Sequence, residues 1–486
     1  MTKPIKLNLI LNPSPRNVTV DPIIIFTRKQ VEVESKSPIA YNMLCILYLM
    51  GNTMSDYTGF HVNFVSTWYP RLCGIATFTE HTARALDLYE DDVLEIKIHP
   101  IDKNGLTYHF PIRQKHIIRQ MDSSSWIDAA EMMIGRYHRK KPKGIKTVPI
   151  LEHEYGLDGN GRDNNFNEIA RRLKEAGVPN IVVLHTLLQN PDDYQRRVIQ
   201  EFGENCDRIV IITPSCKEVL RTVYGVDEKK IVHIPHGVPE PKKRMRSRDA
   251  REKWGLENRF IVSTIGLLSE GKGIEYGIKG FSKFLRKIQP HFKNKLLYLV
   301  VGETHPEVRE KHGDSYRRKL YEIAEDEGLN PVEVTENKKL DFPESNIIFF
   351  KKYLTNDDYV ELVKASHTTL LPYLNTEQVS SGNLAYSIGL ETPVVATKFR
   401  YAMDMFSDDK GIPDGSGVLI NPRNEVDIAL GLKTVFENLT EIGTKAYIKG
   451  SALRWSVVGK QYVNLLYDVA LKQSEIERAK IHFIQE

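Results

Sequence analysis

From His61 onward, short apolar runs rich in β-branched residues alternate with amphipathic stretches. HVNFVS (61–66) is a strand by composition, and a glycine-bearing loop (68–74) follows it. IATFTEHTARALDL then sets Ile75, Phe78, Thr82 and Leu86 on one helical face. Further strands are predicted at VLEIKIHPI (93–101), TVPILEHEY (147–155), NIVVLHT (180–186), RIVIIT (208–213) and KIVHIP (230–235). Helical patterns lie between most of them, as in NFNEIARRLKEAG (165–177) and DDYQRRVIQEFGENC (192–206). Buried β-branched runs separated by helices predict a parallel α/β sheet.

The rhythm breaks at 239–259, where two prolines and a basic run predict a connector. It restarts at FIVSTIGLL (260–268) and continues through LLYLVVGE, NIIFF, HTTLLPY and PVVAT, again with helices between. This predicts two doubly wound domains, with a cleft where the carboxyl ends of their strands face each other. The pattern divides the chain into an extension (1–59), a first domain (60–240), a connector (241–258), a second domain (259–450) and a last helical stretch (451–486). Two readings stay open for residues 1–59: a segment outside the main fold, with Met54 as an alternative start, or an extra strand and helix on the first domain.

Composition narrows the class. The 67 basic and 63 acidic residues leave a net charge of +4, without the clustered basic excess of a nucleic-acid binder. The four cysteines, Cys45, Cys73, Cys206 and Cys216, form no CxxC pair, so neither a zinc site nor a disulfide framework is expected, and a reducing, cytoplasmic setting is. The longest apolar run, AYNMLCILYLM (40–50), is too short for a membrane helix, which leaves only peripheral membrane contact open.

Three places combine a strand, a glycine loop and a helix start, where free backbone N–H groups and the helix dipole suit phosphate. They are Arg71–Phe78 with Cys73 and Gly74, Gly266–Gly273 with Lys272, and Val379–Leu384 with Ser380, Ser381, Gly382 and Asn383. Each is also an ordinary α/β connection taken alone. Lys272 precedes a helix, where its ammonium and the helix end could meet one diphosphate. Ser380 or Ser381 either caps its helix or binds phosphate.

STWYPRLCGIATF, EHEYG, VVLHT, IPHGV, GKGIE, VVGETHP, SSGNLAYSIG and TPVVAT, in this order, resemble glycosyltransferase family 4, in a subgroup with CGIATF and QxSSGxLAY signatures. The resemblance spans roughly 61–470. It implies a GT-B fold, two Rossmann-like domains facing across a cleft, the first on the acceptor side and the second holding the nucleotide sugar. The last helix would cross back to the first domain. It implies a retaining hexosyltransferase that uses a nucleoside-diphosphate sugar and a carbohydrate or other hydroxyl acceptor, with neither metal nor further cofactor. Lys272 matches the phosphate-binding lysine, and His185 a cleft histidine near the donor sugar. Gly74, Gly266, Gln378, Ser380, Ser381, Gly382, Asn383, Leu384 and Tyr386 fall at donor-side positions. Cys73, His153, Glu154 and Tyr155 are acceptor-side candidates. His236 reads as a hinge turn, with a place lining the cleft as the alternative, and His305 as a residue approaching the nucleotide base.

Two departures stand out. Leu267 replaces the arginine common after the glycine, and the Glu-x7-Glu pair is replaced by Gln378 and Tyr386. They keep a second reading open: a silent nucleotide-sugar-binding partner subunit. A GT-B phosphorylase or epimerase is a third.

Overall fold

A computed structural model describes residues 58–485, apart from 72, 104, 106–115, 241–245, 337–338 and 409, with backbone alone over 471–485. The expected extension therefore lies outside the described residues up to residue 57, together with Cys45, Met54 and the apolar run 40–50.

Among the described residues, fourteen strands form two seven-stranded sheets, every pairing parallel. The first sheet comprises β1 (Gly59–Ser66), β2 (Val93–Asp102), β3 (Ile118–Arg119), β4 (Ile145–His153), β5 (Ile181–Leu184), β6 (Arg208–Ile211) and β7 (Ile231–His233). Its order is β3-β2-β1-β4-β5-β6-β7. β1 is buried along its whole length because helices cover both faces, and Phe64 pairs with Ile98 on one side and Ile150 on the other.

The second sheet comprises β8 (Phe260–Ile265), β9 (Leu296–Val301), β10 (Pro331–Val334), β11 (Ile347–Phe350), β12 (Thr368–Leu371), β13 (Val394–Thr397) and β14 (Val418–Ile420). Its order is β10-β11-β9-β8-β12-β13-β14. The chain direction across each sheet reverses at β1/β4 and at β8/β12. In open parallel sheets, ligands bind beyond the carboxyl ends of the strands at such a switch point. The loops that leave β1, β4, β8 and β12 are the ones carrying the sequence motifs.

The connector is more ordered than its composition predicts. Residues Ser247–Trp254 form a helix that packs on the second domain, with Lys253 paired to Glu361 and the Trp254 ring 5.8 Å from Phe350. Alanine and tryptophan spaced four apart, Ala250 and Trp254, supply the buried face that the charged residues hide in the sequence.

The last helix, Trp455–Gln485, returns to the first domain. Tyr89 donates to the Ser456 carbonyl at 2.7 Å, and Phe60 meets Tyr467 edge-on at 4.9 Å. At the return point Val238 exchanges backbone hydrogen bonds with Leu453 (2.8 Å) and Trp455 (2.9 Å). One apolar cluster runs from Phe60 and Phe78 through Trp455 and Tyr462 to Leu384 and Val394, joining the two sheets.

Candidate functional site

On the first domain the loop 67–73 leads into the helix Gly74–Asp87. Cys73 precedes it in an extended conformation and gives no side-chain cap; its thiol instead accepts from Thr67 Oγ1 at 3.7 Å. Gly74 is exposed, and a Cβ there would meet nothing within 4 Å. This helix start is thus open to a ligand. Arg71 does not point at it: its guanidinium is spent on the Ile101 carbonyl (3.1 Å) and Gln120 Oε1 (3.0 Å).

Strand alternation sends Glu152 and Glu154 one way and His153 the other. Glu152, fully buried, sits 2.7 Å from His185 Nε2, and Glu154 accepts from Thr186 Oγ1 at 2.6 Å. His153 is not at the gap. Its ring lies among Tyr155, Phe166 and Phe202, and burial holds its pKa down to about 3. Tyr155 donates to the Gln195 carbonyl at 3.2 Å, beside that core. Of the acceptor-side candidates, His153 is therefore corrected to a packing residue, because the inward face of β4 is lined by aromatic rings.

On the second domain three features converge. Gly266 has φ +131°, and a Cβ there would come within 3.1 Å of Asn383 Nδ2. Lys272 ends a short turn (Glu270–Lys272) before Gly273 (φ +61°), where a Cβ would strike the Pro372 carbonyl at 2.2 Å. Glycine alone lets these loops approach so closely. The Lys272 ammonium lies 3.9 Å above the centre of the Tyr373 ring, a cation–π contact that aims an otherwise flexible side chain. Tyr373 Oη is 3.1 Å from Asn383 Nδ2, and Asn383 Oδ1 accepts from Tyr359 at 2.8 Å. Asn383 lies in the first turn of the helix Gly382–Gly389, which Ser381 caps by accepting from the Leu384 N–H at 3.3 Å. Lys272, Gly266 and the Gly382 helix start thus share one wall.

The remaining donor-side candidates have protein partners. Gln378 Nε2 donates to the Ser380 carbonyl at 2.7 Å, folding the loop on itself. The Tyr386 hydroxyl, at a position the resemblance puts on the donor side, is buried against His81 Nδ1 of the first domain. His305 caps the helix Pro306–His312 and accepts from the Glu307 N–H at 3.3 Å. Burial lowers its pKa, and Lys272 adds to the effect.

The two walls meet through aromatic groups. Phe78 stands edge-on to His185 at 4.9 Å and His236 at 5.1 Å, and a Cβ on Gly382 would lie 3.5 Å from His236 Nε2. His236 accordingly lines the gap, beyond the hinge turn its sequence context suggests. Thr213 donates to the Val379 carbonyl, and the Ser215 N–H to Asp404 at 2.8 Å, both across the domains. Burial holds His81 and His236 as neutral imidazoles, each with a pKa near 4. Sequence reasoning gave Phe78 only a place on a helical face and no role to His81, Tyr359 or Tyr373. The i, i+3 spacing of Phe78 and His81 on an amphipathic helix was the available signal for two of them.

Among the described residues no cluster of His, Cys, Asp or Glu fits a metal ion, and no helix is long and apolar enough to cross a membrane.

Residues 165–240 match the model of a family described as Glycosyltransferase Family 4. Among solved structures, HepE of Anabaena in complex with UDP superposes with a TM-score of 0.60 at 14% identity, covering 84% of this chain and 100% of that one. Sucrose-phosphate synthase of Thermosynechococcus elongatus gives 0.61 at 14%, covering 85% and 99%. The α,α-trehalose 6-phosphate synthase of Burkholderia multivorans gives 0.58 at 12%, covering 87% and 98%. The fold is GT-B. No curated protein sequence matches the chain. The likeness read from the motifs is supported by the matched segment, which in this GT-B chain holds β5, His185 and the return toward His236.

Proposed function

We propose that the chain is a retaining, metal-independent glycosyltransferase that moves a hexosyl group from a nucleoside-diphosphate sugar to a hydroxyl acceptor. One observation carries this reading. Lys272 and the start of the Gly382 helix form one wall, and the His185–Glu152 pair stands on the other, linked through Phe78 and His236. Cleavage of the anomeric C–O bond builds negative charge on the leaving diphosphate and positive charge on the sugar. An ammonium and a helix N-terminus answer the first, at several kcal/mol for preorganised groups in a shielded site. When the Glu152 carboxylate accepts from Nε2–H, the neutral His185 ring keeps Nδ1 as an acceptor. His185 then offers hydrogen bonding and electron density to the sugar. HepE, a neighbour in fold, was solved with UDP and with UDP-glucose, which supports a uridine donor as the first to try. The free thiols of Cys73, Cys206 and Cys216 suit a reducing compartment such as the cytoplasm.

The test is release of nucleoside diphosphate from UDP-, GDP- and ADP-hexoses in the presence of a panel of sugar acceptors, with α-linked product identified by NMR. A β-linked product removes retention. The silent-partner reading draws on Gln378 and Tyr386, whose polar groups are engaged within the protein. Saturable binding of a nucleotide sugar without turnover on any acceptor would favour it.

A further inference from the structure

A cavity of about 780 Å³ lies between β1–β2 and the helix Ser123–Lys140. It is separate from the inter-domain gap: β1 stands between β2 and the β4–β5 pair that carries Glu152 and His185. Its size is that of a small-molecule site. Its walls are polar, because Glu95, Lys97 and His99 alternate onto this face of β2 while Ile96 and Ile98 join the core on the other. A polar stripe left facing a helix is costly unless something polar meets it. Asn63 lines the cavity from β1. It is 1% exposed, and its Nδ2 has no hydrogen-bond partner. An unpartnered amide donor buried in a cavity wall calls for an acceptor.

The charges identify that acceptor. Glu95 is already answered, by Lys97 at 2.7 Å and by Arg136, whose guanidinium also meets His61 Nδ1. Glu131 is paired with Arg172 at 2.9 Å. Arg139 and Lys140, at the end of the helix, make no ion pair among the described residues. Burial first, then Arg136, Lys140 and Lys97, hold His61 near pKa 4 against the opposing pull of Glu95. Asp128, without a paired cation among the described residues, suits hydroxyl donors.

We propose that this cavity is a binding site for a phosphate monoester carried on a hydroxylated body, a sugar phosphate. Arg139, Lys140 and the Asn63 amide take the phosphate, Arg136 stays with Glu95 and His61 in the wall, and Asp128 takes hydroxyls. The site does not depend on the transferase reading.

The experiment is calorimetric titration of the full chain with glucose 6-phosphate and with inorganic phosphate at fixed ionic strength. The expected result is saturable binding of glucose 6-phosphate that weakens at least about tenfold in the double variant Arg139→Glu/Lys140→Glu. These side chains lie at the helix end, so the fold and UDP binding should persist. Asn63→Leu provides a second variant that removes the buried donor and should weaken binding in the same direction. Inorganic phosphate binding as tightly as glucose 6-phosphate supports the phosphate pocket and assigns it to the free ion. Equal affinity in wild type and double variant, or no saturable binding of either probe, overturns the proposal.

Discussion

Glu152 Oε2 stands 2.7 Å from His185 Nε2 with both side chains buried, one at the end of β4 and the other just past β5. The register of these neighbouring parallel strands brings the two together, since His153 pairs with Leu184 and the His185 N–H donates to the His153 carbonyl at 3.1 Å. A carboxylate in this place fixes both the ring's orientation and its tautomer.

Glu152→Gln should therefore lower kcat by about tenfold or more while leaving KM for the donor nearly unchanged. Glutamine fills the same space but can present either an amide N–H or a carbonyl to the ring. His185→Ala should reduce kcat more than donor affinity. Steady-state kinetics with a hexose donor over a range of pH decides it. A Glu152→Gln enzyme with wild-type kcat and an unaltered pH profile would leave the pair a packing feature.

Lys272→Ala should cost about 3 kcal/mol of transition-state stabilisation, on the order of a hundredfold in turnover, with weaker donor binding. The side chain is only half-buried and rests on Tyr373, so the melting temperature should move little. Kinetics and a thermal melt on the same preparation test both halves. Unchanged kinetics would take Lys272 out of the reaction.

Tyr386→Phe should act on stability more than on the donor. Its hydroxyl is bonded to His81 across the domains, and removing it leaves a buried imidazole nitrogen unpaired, at about 1–3 kcal/mol. The His81→Phe change and the double variant complete a thermodynamic cycle, in which the two effects should be strongly non-additive. Additive losses, together with a weakened affinity for UDP, would instead place the hydroxyl on the nucleotide.

The strands and the glycine loops were legible because parallel sheets announce themselves as apolar β-branched runs and because glycine suits the positive φ of Gly266 and the close pass of Gly273 by the Pro372 carbonyl. The Tyr386–His81 bond was not legible, since it joins groups 305 residues apart and depends on how the domains close. Alternation along β4 parts His153 from Glu152. Which of them turned inward depended on the rings of Phe166 and Phe202, supplied by later helices. Lys272 could be read from its place before a helix, but the Tyr373 ring that aims it could not, because that contact crosses from the β8 loop to the β12 loop.

Acid should unfold the protein early, and the cause is the set of buried neutral histidines. His81, His236 and His367 are held near pKa 4 and His153 near 3, each chiefly by burial, against 6.5 in the unfolded chain. Between these values the unfolded state binds protons that the folded state refuses. The stability is thus complete above pH 6.5 and is lost as pH falls toward 4, at about 1.4 kcal/mol per pH unit for each group. At pH 5.5 the four together cost on the order of 5 kcal/mol, a large part of an ordinary domain's stability. Urea midpoints should therefore drop steeply between pH 7.5 and 5.5. His153→Phe should flatten that slope by about one proton and hold stability at pH 7.5, because both ring nitrogens of His153 lack partners in an aromatic pocket. A midpoint independent of pH over this range would mean that the histidines are solvated and that the packing around His153 and His236 is looser than described.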